Sequence, residues 1–169
     1  FVSADELAAT GTLNFQSTQS FFAQADLEAK FNQLTLNTPF NVKRDKQGLA
    51  ANGNLDLQLA KSSFAQAEQS VQFDNLTLST PFDIKQYKQS GLTANVASTI
   101  LDMNELSLSS ESLAVQNKQL HIALNDVAFA MDNNEALTAS LLTNIQSNGL
   151  SLQQAGNTAN YDTFDLSNT

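Results

Sequence analysis

The chain has 169 residues, a formal net charge of −9 and no cysteine, and this length allows a single domain with a buried core. With only eight Lys and Arg it lacks the positive charge that drives counterion release from a phosphate backbone, so nucleic acid is not an expected partner. The missing cysteines exclude disulfide frameworks and thiolate metal or redox sites, and no run of about 18 apolar residues is present to cross a membrane as a helix.

Asn, Gln, Ser and Thr supply most of the polarity, and Phe occurs eleven times while Trp is absent. That mixture suits a sheet with one solvated face and one apolar face. The first residues lack the basic and then apolar order of a signal peptide. Because the repeat described below begins and ends in mid-pattern, the chain is expected to be an excerpt of a longer protein.

The first alternating run is LAATGTLNF, from Leu7 to Phe15. It is followed by a duplication: Phe22 to Gln47, FAQADLEAKFNQLTLNTPFNVKRDKQ, aligns without a gap on Phe64 to Gln89, FAQAEQSVQFDNLTLSTPFDIKQYKQ, with 14 of 26 positions identical, against roughly two for unrelated segments. Pro39 and Pro81, the only prolines, coincide. Leucines open a strand-like run at Leu7, Leu49, Leu92 and Leu137, spaced by 42, 43 and 45 residues. We therefore expect one repetitive β domain over 1–169, an antiparallel sheet of units of about 43 residues, curled or groove-like, with units opening near these leucines.

Within a copy the pattern has period two, the mark of a strand. Apolar residues hold the odd positions from Phe21 to Phe31. Across Asn32 and Gln33 the phase flips, and Leu34, Leu36, Phe40 and Val42 take the even positions. Phe73 to Leu76 repeat the flip, after which Leu76, Leu78, Phe82 and Ile84 follow. A flip of this kind predicts a tight turn or a bulge, which would make each copy a hairpin. Proline cannot donate to a ladder, so Pro39 and Pro81 are expected at a break or an unpaired position, where they could turn the lower apolar pair of each copy. Polar runs ending at Gly48 and Gly91 read as turns.

Farther on, Leu106 and Leu108, Leu113 and Val115, Leu120 to Leu124, and Val127 to Met131 read as four short strands, with a turn over Asp132 to Glu135. Leu137, Leu141 and Ile145 also fit a helical spacing, but the kinship with Leu49 and Leu92 favours a strand. After Gly156 the apolar residues thin out, and a frayed or unpartnered end is expected.

Little in the chain points to catalysis. His121, the single histidine, alternates with Leu120 and Ile122 and so belongs on the solvated face, with no cysteine to activate and no second histidine to share a metal. Asp132 to Glu135 lack the ligand spacing and glycine of a calcium loop. Asn75, Leu76 and Thr77 form a glycosylation triplet inside a strand, where it has no expected role. The acids are scattered through polar turns, unlike the converging carboxylates of a glycosidase. No enzyme activity, metal or cofactor is expected. Five of the eight basic residues, Lys43, Arg44, Lys46, Lys85 and Lys88, fall in two equivalent turns, which stacked repeats would align as a rim facing either solvent or anionic headgroups.

LAATGTLNF, FDNLTLSTPFDI, NELSLSSESLAV and the LTA openings at Leu92 and Leu137 resemble the strand repeats of the AsmA family of Gram-negative envelope proteins. That resemblance implies a protein anchored in the inner membrane by an N-terminal helix, its bulk in the periplasm, acting in outer-membrane assembly and phospholipid homeostasis. It also implies a long curled sheet whose apolar inside carries phospholipid or other acyl lipid, with other envelope proteins as partners. The lipid-facing residues would then be Leu34, Leu36, Phe40, Val42, Leu76, Leu78, Phe82 and Ile84. The alternative is a structural or adhesin-like β-repeat segment with a closed, dry core. Physical reasoning frames the same choice, because a sheet with one apolar face and no helices must curl on itself, pair with another sheet or meet an apolar ligand.

Overall fold

The computed structural model describes residues 6–88, 91–132 and 136–168. They form eight strands in chain order: β1 (Leu7–Gln24), β2 (Leu27–Arg44), β3 (Gly48–Gln66), β4 (Gln69–Tyr87), β5 (Gly91–Ser109), β6 (Leu113–Met131), β7 (Leu137–Gln154) and β8 (Asn157–Ser167). Each pairs antiparallel with the next, giving one open meander. The protein is thus all-β, a repetitive antiparallel sheet. Leu7, Leu49, Leu92 and Leu137 fall at the starts of β1, β3, β5 and β7, so a repeat unit is an odd strand, a turn and the following even strand. Strands of 18 or 19 residues reach about 60 Å at the usual rise.

The phase flip is not a turn. β2 runs unbroken through Asn32 and Gln33, and the hairpin turns instead fall at Ala25–Asp26 and Ala67–Glu68, inside what the sequence presents as a single alternating run. The flip belongs to a crease crossing the whole sheet. Gln19, Lys61, Glu105 and Gly149, one in each odd strand, have left-handed φ of 55°, 46°, 52° and 66°. The ladders skip these residues together with Asn32, Asp74, Lys118 and Asp162 on the even strands. One left-handed residue advances the alternation by a step, as in a bulge, so on an odd strand Leu59 and Ser62, on either side of Lys61, stay on the same face. The even strands keep step at the residues the ladders skip, and Phe31 and Leu34 share that face as well.

The remaining expectations can be placed on this frame. Pro39 and Pro81 lie inside β2 and β4, not at breaks. Pro39 faces Thr12 while the ladder to β3 omits it; Pro81 faces Asn54, and toward β5 the register slips between Ser79 and Asp83. The four short strands are in fact the end of β5 and one continuous β6. Residues 137–145 are strand, within β7. β8 is neither frayed nor unpartnered, since it pairs with β7 from Asn157 to Ser167. Residues 89–90 and 133–135 of the expected turns lie outside the described residues.

Candidate functional site

Register turns the leucine pattern into continuous rows. Phe15, Leu36, Leu57, Leu78, Leu101, Ile122, Ile145 and Leu166 are successive partners from β1 to β8. This row crosses about 34 Å of sheet at the normal strand spacing with no polar member. Two residues nearer the crease, Leu34, Leu59, Leu76, Met103 and Leu120 form a second row. The intervening row is polar, Gln16, Thr35, Gln58, Thr77, Asp102, His121, Gln146 and Asp165, and faces the other way. Among the described residues every element belongs to this one sheet, so no second layer covers the apolar rows. Phe15 and Leu166 are 53% and 54% exposed, and the six residues between them are half-buried.

Burial is concentrated along the crease. Among the described residues Ala29, Leu59, Phe73, Ser62, Asn117 and Ser147 are the buried side chains, and all stand on the apolar face, five in the rows flanking the left-handed residues and Ala29 in the next row, between Phe22 and Phe64. With no covering layer, the source of this burial is the sheet bending toward its apolar side. Hydrogen bonds across the bend fit that geometry: Ser17 and Ser20 share one, and Asn117 Nδ2 donates to Ser147 Oγ at 2.7 Å. Phe64 meets Phe31 edge-on at 5.3 Å and stacks on Phe73 at 6.1 Å between ring centroids. The face is therefore a shallow trough with a small aromatic core at its bend.

All eight residues singled out from the duplication lie on this face. Leu34 and Leu76 share the row beside the crease, and Leu36 and Leu78 share the all-apolar row. Phe40, Val42, Phe82 and Ile84 continue toward the basic turns. The prolines do not rotate this lower group, because the register is unchanged from Leu36 to Val42 against β1 and from Leu78 to Ile84 against β3. The tip of the Phe82 ring reaches Gly53 of β3: a methyl at Gly53 would come within 2.7 Å of the ring and 2.3 Å of the Pro39 carbonyl oxygen. Sequence reasoning did not extract Phe15, Leu57, Leu101, Ile122, Ile145 and Leu166 as members of the same row, although each alternates correctly within its own strand. Only the register joins them.

The five basic residues gather at one end of the sheet but divide between its faces. Lys43 and Lys85 flank Ala50 in a polar-face row. Lys43 Nζ lies 3.9 Å from Asp45, and Lys85 donates to Asp83 at 2.7 Å; that carboxylate holds the Lys85 ammonium above its ordinary value. Arg44 is in the next row, on the apolar side. Lys46 and Lys88 occupy the two turns, which are joined by the Lys88 N–H bonding to the Gln47 carbonyl at 3.0 Å.

On the polar face His121 Nδ1 is 2.6 Å from Asp102 Oδ1, both partly exposed, a contact that orients the ring and lies in a row of Gln and Thr. Among the described residues no three His, Cys, Asp or Glu are grouped to hold a metal ion, and no helix is long and apolar enough to cross a membrane. No protein-family model matches the chain, and neither a curated protein nor a solved structure matches it.

Proposed function

We propose that this chain is a non-enzymatic segment of an AsmA-like envelope protein that carries acyl chains of phospholipid along its apolar trough. It would act in the periplasm, anchored to the inner membrane in the full-length protein, in outer-membrane assembly and phospholipid transport or homeostasis. The observation that carries this reading is the all-apolar row from Phe15 to Leu166 on a sheet that no other element covers among the described residues. Soluble monomers seldom leave contiguous apolar patches beyond a few hundred Å² unless something binds there. An acyl chain suits the trough because it is apolar along its length and needs no hydrogen-bond partners. Each methylene removed from water contributes about 0.8 kcal/mol, so ten contribute about 8 kcal/mol before the costs of association.

The test is mass spectrometry of lipid extracted from purified protein, for the parent and for Leu36→Asp and Leu78→Asp, beside their thermal melts. The reading expects lipid in the parent and its loss in the variants with a near-normal melt, since a carboxylate on an open face is hydrated once the chain leaves. A parent without lipid and collapsed melts in both variants would instead indicate an adhesin-like closed core, where an unpaired buried charge costs several kcal/mol.

A further inference from the structure

At the end of the sheet where β2, β4 and β6 finish, the apolar face opens into a cavity of about 740 Å³. Its floor is Leu49, Leu92 and Met131, which with Arg44 and Gln86 form a single row. That row lies two residues beyond the row of Val42, Ala51, Ile84, Ala94 and Phe129, so it continues the trough on the same face. Arg44 and Lys88 supply the cations of its wall.

Two carboxylates also line the cavity, yet both are engaged in turns. Asp45 Oδ1 accepts from the N–H groups of Gln47 and Gly48 at 2.8 and 3.1 Å, and Asp132 Oδ1 accepts from Ala136 N–H at 2.9 Å. The opposite end of the sheet has the reverse polarity. Its turns carry Asp26, Glu68 and Glu111, with Glu68 held above its ordinary value by a hydrogen bond to Glu111. A long apolar trough therefore runs from an end whose turns carry carboxylates as their only charged groups to one where a guanidinium and an ammonium stand over an apolar floor. Beside these cations are the two carboxylates whose oxygens are held by backbone N–H groups of their turns.

We propose that this cavity is a headgroup subsite that takes the phosphate of an anionic phospholipid. Arg44 offers the planar pair of donors suited to phosphate and Lys88 a second charge, while the glycerol and first methylenes rest on Leu49, Leu92 and Met131. The assignment rests on the acyl-carrier reading above and adds a direction to it: headgroup at the basic end, chains running along the strands toward the crease. Lys43 and Lys85, on the polar face and paired with Asp45 and Asp83, take no part.

The experiment measures binding of dihexanoyl phosphatidylglycerol, uncharged dihexanoylglycerol and inorganic phosphate to the parent, to Arg44→Gln/Lys88→Gln and to Lys43→Gln/Lys85→Gln, after melts show all three folded. The first variant is expected to lose about thirtyfold in affinity for phosphatidylglycerol, the scale of two cations meeting an anionic lipid, and to keep its affinity for dihexanoylglycerol. The second variant should match the parent for both lipids. Equal losses in the two variants, or none in either, overturn the subsite while leaving acyl binding intact. Inorganic phosphate binding as tightly as phosphatidylglycerol overturns the lipid assignment in favour of a free-phosphate site. A parent that binds neither lipid overturns the carrier reading and the subsite together.

Discussion

Two parts of the apolar face share composition and differ in burial. Along the crease Phe73 is 5% exposed, whereas Phe15, two rows past the bend, is 53% exposed. The same kind of side chain is core in one place and bare surface in the other, because Phe73 sits at the bend inside the sheet while Phe15 lies beyond the bend on the edge strand β1. It follows that burial is most complete in a narrow strip at the crease, whereas the broad rows beyond it are half-buried within the sheet and keep apolar surface open. Those rows are free to be used for something else. Polar side chains at the bend fit the same division: Asn117 donates to Ser147 and accepts from the Gln119 N–H, so neither polar side chain is buried without a partner.

The sharpest way to break this contrast is to truncate one ring in each region. Phe73→Ala removes a buried ring that stacks on Phe64 and is expected to cost about 3 kcal/mol, lowering the melting temperature by roughly 6–12 °C. Phe15→Ala should cost less than about 1 kcal/mol. Similar losses in urea or thermal melts would mean that the bare rows are part of the stabilising core.

A smaller effect tests the crease itself. Lys61 adopts φ 46°, a conformation that costs an L-residue roughly 1–2 kcal/mol, whereas glycine enters it freely at an entropic cost of about 0.5–1 kcal/mol. Gly149 already occupies the equivalent place in β7. Lys61→Gly is therefore expected to stabilise by about 0.5 kcal/mol, and Gln58→Gly, in the regular part of the same strand, to destabilise by about 0.5–1 kcal/mol. Destabilisation by both changes in chemical denaturation would rule out backbone strain at the bend.

The smallest effect lies away from both regions, at the acidic turns. Glu68 titrates above its ordinary value of 4.5, chiefly through its hydrogen bond with Glu111. A raised value in the folded state means that the contact stabilises fully below the unfolded pKa and is lost as pH rises through the folded one. Melts taken between about pH 4 and 7 should thus show a slight loss in the parent that Glu111→Gln flattens. An unchanged slope in the variant would assign the pH dependence elsewhere.

Much of this was legible in the chain. The duplication fixed the unit, and the phase flip at Asn32 and Gln33 marked the crease. What it did not reveal was that the flip leaves the strand intact, because a turn and a bulge-like skip in the ladder both shift alternation by one. The true hairpin turns were hidden for a related reason. Ala25 and Ala67 take φ 51° without the Gly, Asn or Pro that normally announces such a turn. β6 looked like several short strands because Lys118 at the crease and the Asp126 bulge interrupt its pattern. Nor could the row from Phe15 to Leu166 be read locally, since it exists only once seven registers are set.

On the proposed reading the trough, and not the opposite face, meets lipid. Neighbouring residues of one strand provide the test: a photoactivatable benzoylphenylalanine placed at Leu78 and, separately, at Thr77, one position away on the polar face, in protein irradiated with phospholipid vesicles or in cells. The account predicts lipid adducts by mass spectrometry at Leu78 and none at Thr77. Adducts at both positions alike, or at neither, would contradict it.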